Sequence, residues 1–150
     1  MIKSKKQYVE DLGVLFEKMG KTPIEGRVFA CLLVANPPEI SFDELVEFLQ
    51  ASKSSVSNAL KKLQNEGSVS YITKCGDRKR YFIIDTVNWK NHLKDSAKTF
   101  SSFNDILDSV IEYREDMDSE SFNAELKKVL EFQLFISKRF DEAIAEWNNR

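Results

Sequence analysis

The 150-residue chain carries 22 basic and 24 acidic side chains, a formal net charge of −2, and 42% of its residues are hydrophobic. This is the balance of a folded globular protein; it excludes a disordered or fibrous chain and argues against a general nucleic-acid coat. The longest apolar run, VFACLLVA at 28–35, falls far short of the roughly 20 residues that a membrane-crossing helix needs, and the basic start MIKSKKQY leads into Glu10, Asp11 and Glu17 rather than a secretory core. A cytoplasmic location is therefore expected.

In chain order, Tyr8, Leu12, Leu15, Phe16 and Met19 recur at helical spacing and are expected to share one face of a first helix, which Gly20 ends. Thr22-Pro23-Ile24-Glu25 then joins a capping hydroxyl, a proline at the first helical position and an acid at the third, a strong helix start. The second helix, apolar around most of its girth through Ile24, Val28, Cys31, Leu32 and Ala35, should be central, and Asn36-Pro37-Pro38 stops it. Glu39 and Ile40 read as a short extended piece able to join a small sheet. Ser41 with Glu44 forms a capping box for a third helix, whose apolar face is Phe42, Leu45, Val46, Phe48 and Leu49.

After the turn at Ala51, Ser52 is the expected N-cap of a fourth helix. Val56, Ala59, Leu60 and Leu63 must face inward, which places Lys53, Ser54, Ser57, Asn58, Lys61, Lys62 and Asn65 on the other side. Gly67 supplies the left-handed cap. The pattern then alternates: Val69, Tyr71 and Ile72 form one strand and Tyr81-Phe82-Ile83-Ile84 a return strand, joined by the cationic tip Lys74-Cys75-Gly76-Asp77-Arg78-Lys79-Arg80. Two long helices follow, from near Val87 to Tyr113 and from Ser121 to Trp147.

Charge is unevenly distributed: the balance is −2 over residues 1–51, +4 over 52–85 and −4 over 86–150. Two short helices, the second with a polar, cationic front, followed by a cationic hairpin, make a winged helix-turn-helix. The expected fold is mainly α, with residues 1–85 as the winged region including the N-terminal helix and 86–150 as two long dimerisation helices of one structural unit. Lys53, Ser54, Ser57 and Asn58 are the candidates for base edges, with Asn58 suited to adenine; Ser55 suits a phosphate, and Lys61, Lys62, Arg78, Lys79 and Arg80 suit the sugar–phosphate backbone or the minor groove. The last helix presents Phe122, Leu126, Val129, Ile136, Phe140 and Trp147 as the expected face of a homodimer, because one winged domain cannot cover so much apolar surface.

The order of elements and the run Gly20-Lys21-Thr22-Pro23-Ile24-Glu25-Gly26-Arg27, a G-x-x-P-x-x-G-R segment, resemble the GbsR-type branch of the MarR-like bacterial transcriptional regulators. Pro37-Pro38-Glu39-Ile40-Ser41, Ser52-Lys53-Ser54-Ser55-Val56-Ser57 and Gly76-Asp77-Arg78 extend that similarity over about residues 8–85. Ser54 stands where the family pattern commonly has glycine. The resemblance implies a dimeric regulator on double-stranded DNA whose affinity responds to a small-molecule effector. Some relatives are linked to osmoprotectants, for which aromatic side chains would form a cage, although 11 Phe, 4 Tyr and 2 Trp are read first as core and dimer seam.

No metal-ligand spacing, nucleophile elbow, dinucleotide fingerprint or phosphate loop occurs, and the one histidine, His92, lies among polar neighbours. No enzyme activity, cofactor or metal is expected. The competing reading is a winged helix used as a protein-interaction module, which would want an apolar or acidic reading face. Cys31 reads as a core residue, and Cys75 as a turn cysteine beside cations that favour thiolate.

Overall fold

The computed structural model describes residues 3–150, apart from the side chains of Trp89 and Lys90. The chain divides into two compact units, residues 1–90 and 91–150.

In the first unit the helices are α1 (Lys5–Lys18), α2 (Pro23–Leu33), α3 (Phe42–Leu49) and α4 (Lys53–Asn65), and the strands are β1 (Ile40–Ser41), β2 (Val69–Thr73) and β3 (Arg80–Ile84). Local chemistry sets the boundaries. Thr22 and Ser41 each close a full capping box, with Glu25 and Glu44 returning a bond to the cap backbone. Ser52 accepts from the Ser55 N–H at 3.1 Å to start α4. Helices α1 and α4 end alike: the Lys21 N–H reaches the Phe16 carbonyl and the Ser68 N–H the Leu63 carbonyl, around Gly20 at φ 92° and Gly67 at φ 68°. Between α3 and α4 the sharp turn is made by Gln50 at φ 48°, a left-handed residue that no glycine marked in the sequence.

Helix α2 is the hub, packing on α1, α3, α4 and β3. Val28, Leu45, Val56 and Leu63 are completely buried there with Val9, Cys31, Leu60 and Phe82. The strands form one antiparallel sheet in the order β1-β3-β2, so the Pro38-bounded strand does join the hairpin, with Ile40 opposite Phe82 and Phe82 opposite Tyr71.

The inward face of α1 differs from the apolar stripe expected. Val9 and Gly13 are buried, with Leu12 and Phe16 beside them, while Tyr8, Leu15 and Met19 are exposed. The reason is a close crossing at two glycines: a Cβ at Gly26 would lie 3.0 Å from the Gly13 carbonyl oxygen and 3.2 Å from the Phe16 Cβ. Arg27, next to that crossing, reaches back to α1 with Nη2 2.8 Å from Glu10 and Nη1 2.6 Å from Glu17. The Gly26-Arg27 pair of the sequence motif thus joins Val9, Leu12 and Phe16 in holding α1 on α2.

The second unit is a pair of long helices, α5 (Trp89–Tyr113) and α6 (Glu120–Asn148). Each is offset by one or two residues from the expected span. At the closed end Asn123 accepts from Arg114 Nε at 2.9 Å and donates to its carbonyl at 2.8 Å. Leu107, Ile111 and Leu130 form the buried contact with Leu126 against them, and Asn104, also buried, donates to the Ser137 hydroxyl at 3.3 Å.

Candidate nucleic-acid interface

Helix α4 divides as its periodicity requires. Val56, Ala59, Leu60 and Leu63 are buried, and Lys53, Ser54, Ser57, Asn58, Lys61 and Lys62 are exposed on the opposite side. The helix N-terminus carries a hydroxyl cluster: Ser52 Oγ lies 3.1 Å from Ser54 Oγ and 2.7 Å from Ser55 Oγ. The hydroxyls of Ser54 and Ser55 thus gather around the N-cap at the start of the helix, where backbone N–H groups favour an anion. Lys53, Ser57, Asn58 and Lys61 make no side-chain hydrogen bond or ion pair within the described residues.

Lys62 behaves differently from its neighbour. Its ammonium lies 3.1 Å from Glu25 Oε2 on α2, and Glu25 is only 6% exposed. Burial disfavours the charged Glu25 carboxylate, but bonds from the Thr22 N–H, Lys62 and the Thr22 hydroxyl outweigh it and hold the carboxyl below its ordinary pKa. A second pair, Lys21 to Glu66 at 2.6 Å, ties the same loop to the end of α4.

The wing is held as well. Lys74 pairs with Glu39, ahead of β1, and lies 4.1 Å over the Tyr81 ring. Asp77 accepts from the Tyr81 hydroxyl at 2.6 Å and from the Lys79 N–H at 2.9 Å, which lowers the Asp77 pKa and raises that of Tyr81. Arg80 stacks 4.5 Å over Tyr71, and the Lys79 ammonium is 4.0 Å from Asp43. Arg78, exposed beside the Gly76 turn, is the wing cation without a partner among the described residues. Three consecutive cations in the sequence thus become three different situations.

A cavity of about 290 Å³ lies behind the wing, lined among others by Cys31, Phe48, Lys74 and Tyr81. Its lysines, Lys5 and Lys74, are matched by Glu39 and Glu44, so its charge selects no ligand class. Burial pushes the Cys31 thiol up to about 12, which makes it a core residue and no nucleophile; Cys75 is exposed.

The face expected to pair two copies is split. On α6, Phe122, Val129, Ile136 and Trp147 are exposed, whereas Leu126 and Phe140 are half-buried, Leu126 against the α5 contact and Phe140 in a groove with Ala97 and Phe100. The sequence reading missed Glu25, Lys21 and Arg27 as polar anchors. Their partners lie far along the chain, and the one legible signal, the acid at the third position of α2, pointed to its local capping role.

The fold defined by these elements is a winged helix-turn-helix with a pair of long helices. Over 97% of this chain and 99% of the other it matches the crystal structure of a transcriptional regulator with a TM-score of 0.73, at 22% sequence identity. Matches of lower TM-score, 0.45, include MepR of Staphylococcus aureus, a transcription regulator of the multidrug efflux pump MepA, at 17% identity over 84% of this chain and 90% of that one. No family model matches the sequence. In sequence the chain is 28% identical over 102 residues to the HTH-type transcriptional regulator MmpR5 of Mycobacterium tuberculosis, covering 68% of this chain. The match spans 62% of the length of that curated relative. No helix among the described residues is long and apolar enough to cross a membrane.

Proposed function

We propose that the chain is a sequence-specific DNA-binding transcriptional regulator that works as a homodimer. The observation that carries this is the unsatisfied polar front of α4: Lys53, Ser57, Asn58 and Lys61 stand exposed without internal partners, beside a wing that presents Arg78 outward. A protein-interaction surface of this fold would gain little from such a face, whereas cationic, amide and hydroxyl groups of this kind suit the phosphates and base edges of a major groove. In this reading Asn58 and Ser57 meet base edges, and Lys53 and Lys61 meet phosphates. Ser54 and Ser55 offer the helix N-terminus to a phosphate, and Arg78, with Lys79 and Arg80 behind it, follows the backbone into the minor groove. The motif residues Gly20, Pro23, Gly26 and Arg27 favour the GbsR-type branch of the MarR-like regulators.

The homodimer rests on the second unit. Within residues 91–150 only Asn104, Leu107, Ile111 and Leu130 are buried, while large apolar side chains such as Phe100, Phe103, Phe122, Phe132, Phe135 and Trp147 are exposed. Two helices with so small a buried contact leave many large apolar side chains in water, and apolar surface on this scale is what an interface would cover. A second copy offers the same surface and closes the assembly by two-fold symmetry. The operator is then a pseudo-palindrome with half-sites about one helical turn apart.

Selection of bound sequences from random DNA tests the proposal, followed by titration at several salt concentrations. About eight phosphate contacts give a log–log slope near −7, at about −0.9 per contact. A flat salt dependence, or no enrichment of any sequence, would sink it. Control by a small-molecule effector is part of the proposal; a ligand screen on the protein–operator complex in which no compound changes affinity makes the protein a constitutive binder.

A further inference from the structure

Lys61 and Lys62 are adjacent, both exposed on α4, and a charge count treats them alike. The structure separates them. Lys61 makes no ion pair among the described residues, whereas Lys62 leans back to a carboxylate 37 positions earlier in the chain. That carboxylate, Glu25, already holds the Thr22 N–H at 3.0 Å with the same oxygen that meets Lys62. One turn further on, Glu66 takes Lys21 from the loop just before Thr22. The C-terminal half of α4 is therefore clamped at two points to the few residues that open α2.

We propose that Lys62 is a positioning residue and not a DNA contact: with Glu25, and with the Lys21–Glu66 pair beside it, it fixes the rotation of α4 about its own axis. The inference rests on the DNA-reading role of α4. Geometry makes the clamp effective. The buried side of α4 holds the helix against α2 through Val56, Ala59, Leu60 and Leu63, and polar pairs at the rim add a second restraint on rotation about the helix axis. Lys62 and Glu66 are four residues apart on one edge of the helix, so two ion pairs along that edge oppose such a rotation. A reading helix that rolls by a few degrees moves Ser57 and Asn58 off their base edges, because hydrogen-bond recognition tolerates little misalignment.

The test compares four single variants, Lys62→Gln, Lys62→Arg, Glu25→Gln and Lys61→Gln, and the double variant Glu25→Gln/Lys62→Gln, on the selected operator across a salt series. Glutamine at position 25 keeps the capping box, since it too accepts from the cap backbone. The clamp predicts that Lys62→Gln and Glu25→Gln each weaken binding about fivefold, at the low end of coupling between sites. The double variant is no worse than either, Lys62→Arg recovers, and the salt slope stays at the wild-type value. Lys61→Gln instead lowers the magnitude of the slope by about 0.9 for each phosphate left without its cation. Amide exchange in the last turn of α4, read without DNA, quickens in Lys62→Gln and Glu25→Gln but not in Lys61→Gln. A Lys62→Gln slope that falls like that of Lys61→Gln, with Glu25→Gln at wild-type affinity, makes Lys62 a phosphate contact and overturns the proposal. Unchanged exchange in Lys62→Gln overturns it as well. If the wild-type protein binds no DNA, the functional reading fails and the exchange measurement still judges the clamp.

Discussion

Two glycines, Gly20 and Gly26, invite the same substitution for opposite physical reasons, and a size series at each separates them. Gly20 has φ 92°, and a Cβ placed there meets nothing within 4 Å. Alanine at position 20 therefore suffers only the left-handed backbone term, about 1–2 kcal/mol, offset by about 0.4–1 kcal/mol from the reduced freedom of the unfolded chain. The expected net loss is about 0–1.6 kcal/mol, smaller for Asn, which tolerates that conformation. Gly26 is helical, so alanine there gains about 1 kcal/mol of propensity. Its methyl, however, lies 3.0 Å from the Gly13 carbonyl oxygen, a backbone atom that no rotamer change can move away. Overpacking of this kind costs about 1–3 kcal/mol, leaving a net loss of about 0–2 kcal/mol for alanine that rises steeply for valine and leucine. Urea unfolding at one fixed protomer concentration, with midpoints compared at constant m, reads both series. Position 20 should show nearly equal losses for Ala and Leu, and position 26 a loss that grows with side-chain volume. A steep size dependence at 20, or a flat one at 26, refutes the assignment of backbone strain to one site and steric closure to the other.

Three further outcomes follow from the same geometry. Asn58→Ala should relax base choice at one operator position with little change in salt slope, whereas Arg78→Ala should reduce the slope and weaken binding, most where the minor groove beside the half-site is narrow; paired site selection and salt titration check both. Leu45→Ala, at a side chain with no exposure, should cost about 2–5 kcal/mol of stability in chemical unfolding. Glu44 is held below its ordinary pKa, chiefly by the Ser41 hydroxyl and then by the Ser41 N–H. Because the unfolded chain takes up that proton first, the stabilisation is complete above the unfolded value, about 4.3, and is lost as pH falls through the folded one. Glu44→Gln should therefore flatten the acid limb of the stability–pH curve without removing the capping box.

What the sequence disclosed and what it withheld follow from the range of each interaction. The capping boxes at Thr22 and Ser41, the Gly67 cap and the alternation of β2 and β3 are written within a few residues, and each element lies where those signals put it. The inward face of α1 is not legible in the same way, because its closest contact is made by Gly13, which periodicity of apolar side chains does not register. The links from Arg27 to Glu10 and from Lys62 to Glu25 join segments whose proximity only the folded chain creates. On α6 apolar residues surround the helix, so spacing alone could not decide which of them meet α5.

The tethered wing has a consequence for how a groove would be read. With Lys74 on Glu39 and Asp77 bracing both Tyr81 and the Lys79 backbone, the hairpin has little freedom to adapt to the duplex. In the proposed complex a braced arm tipped by Arg78 would act as a gauge: it would fit a narrow, strongly negative minor groove, as A·T-rich steps provide, and stand off from a wide one. Such a protein would discriminate at base pairs it never hydrogen-bonds, by the width of the groove alone.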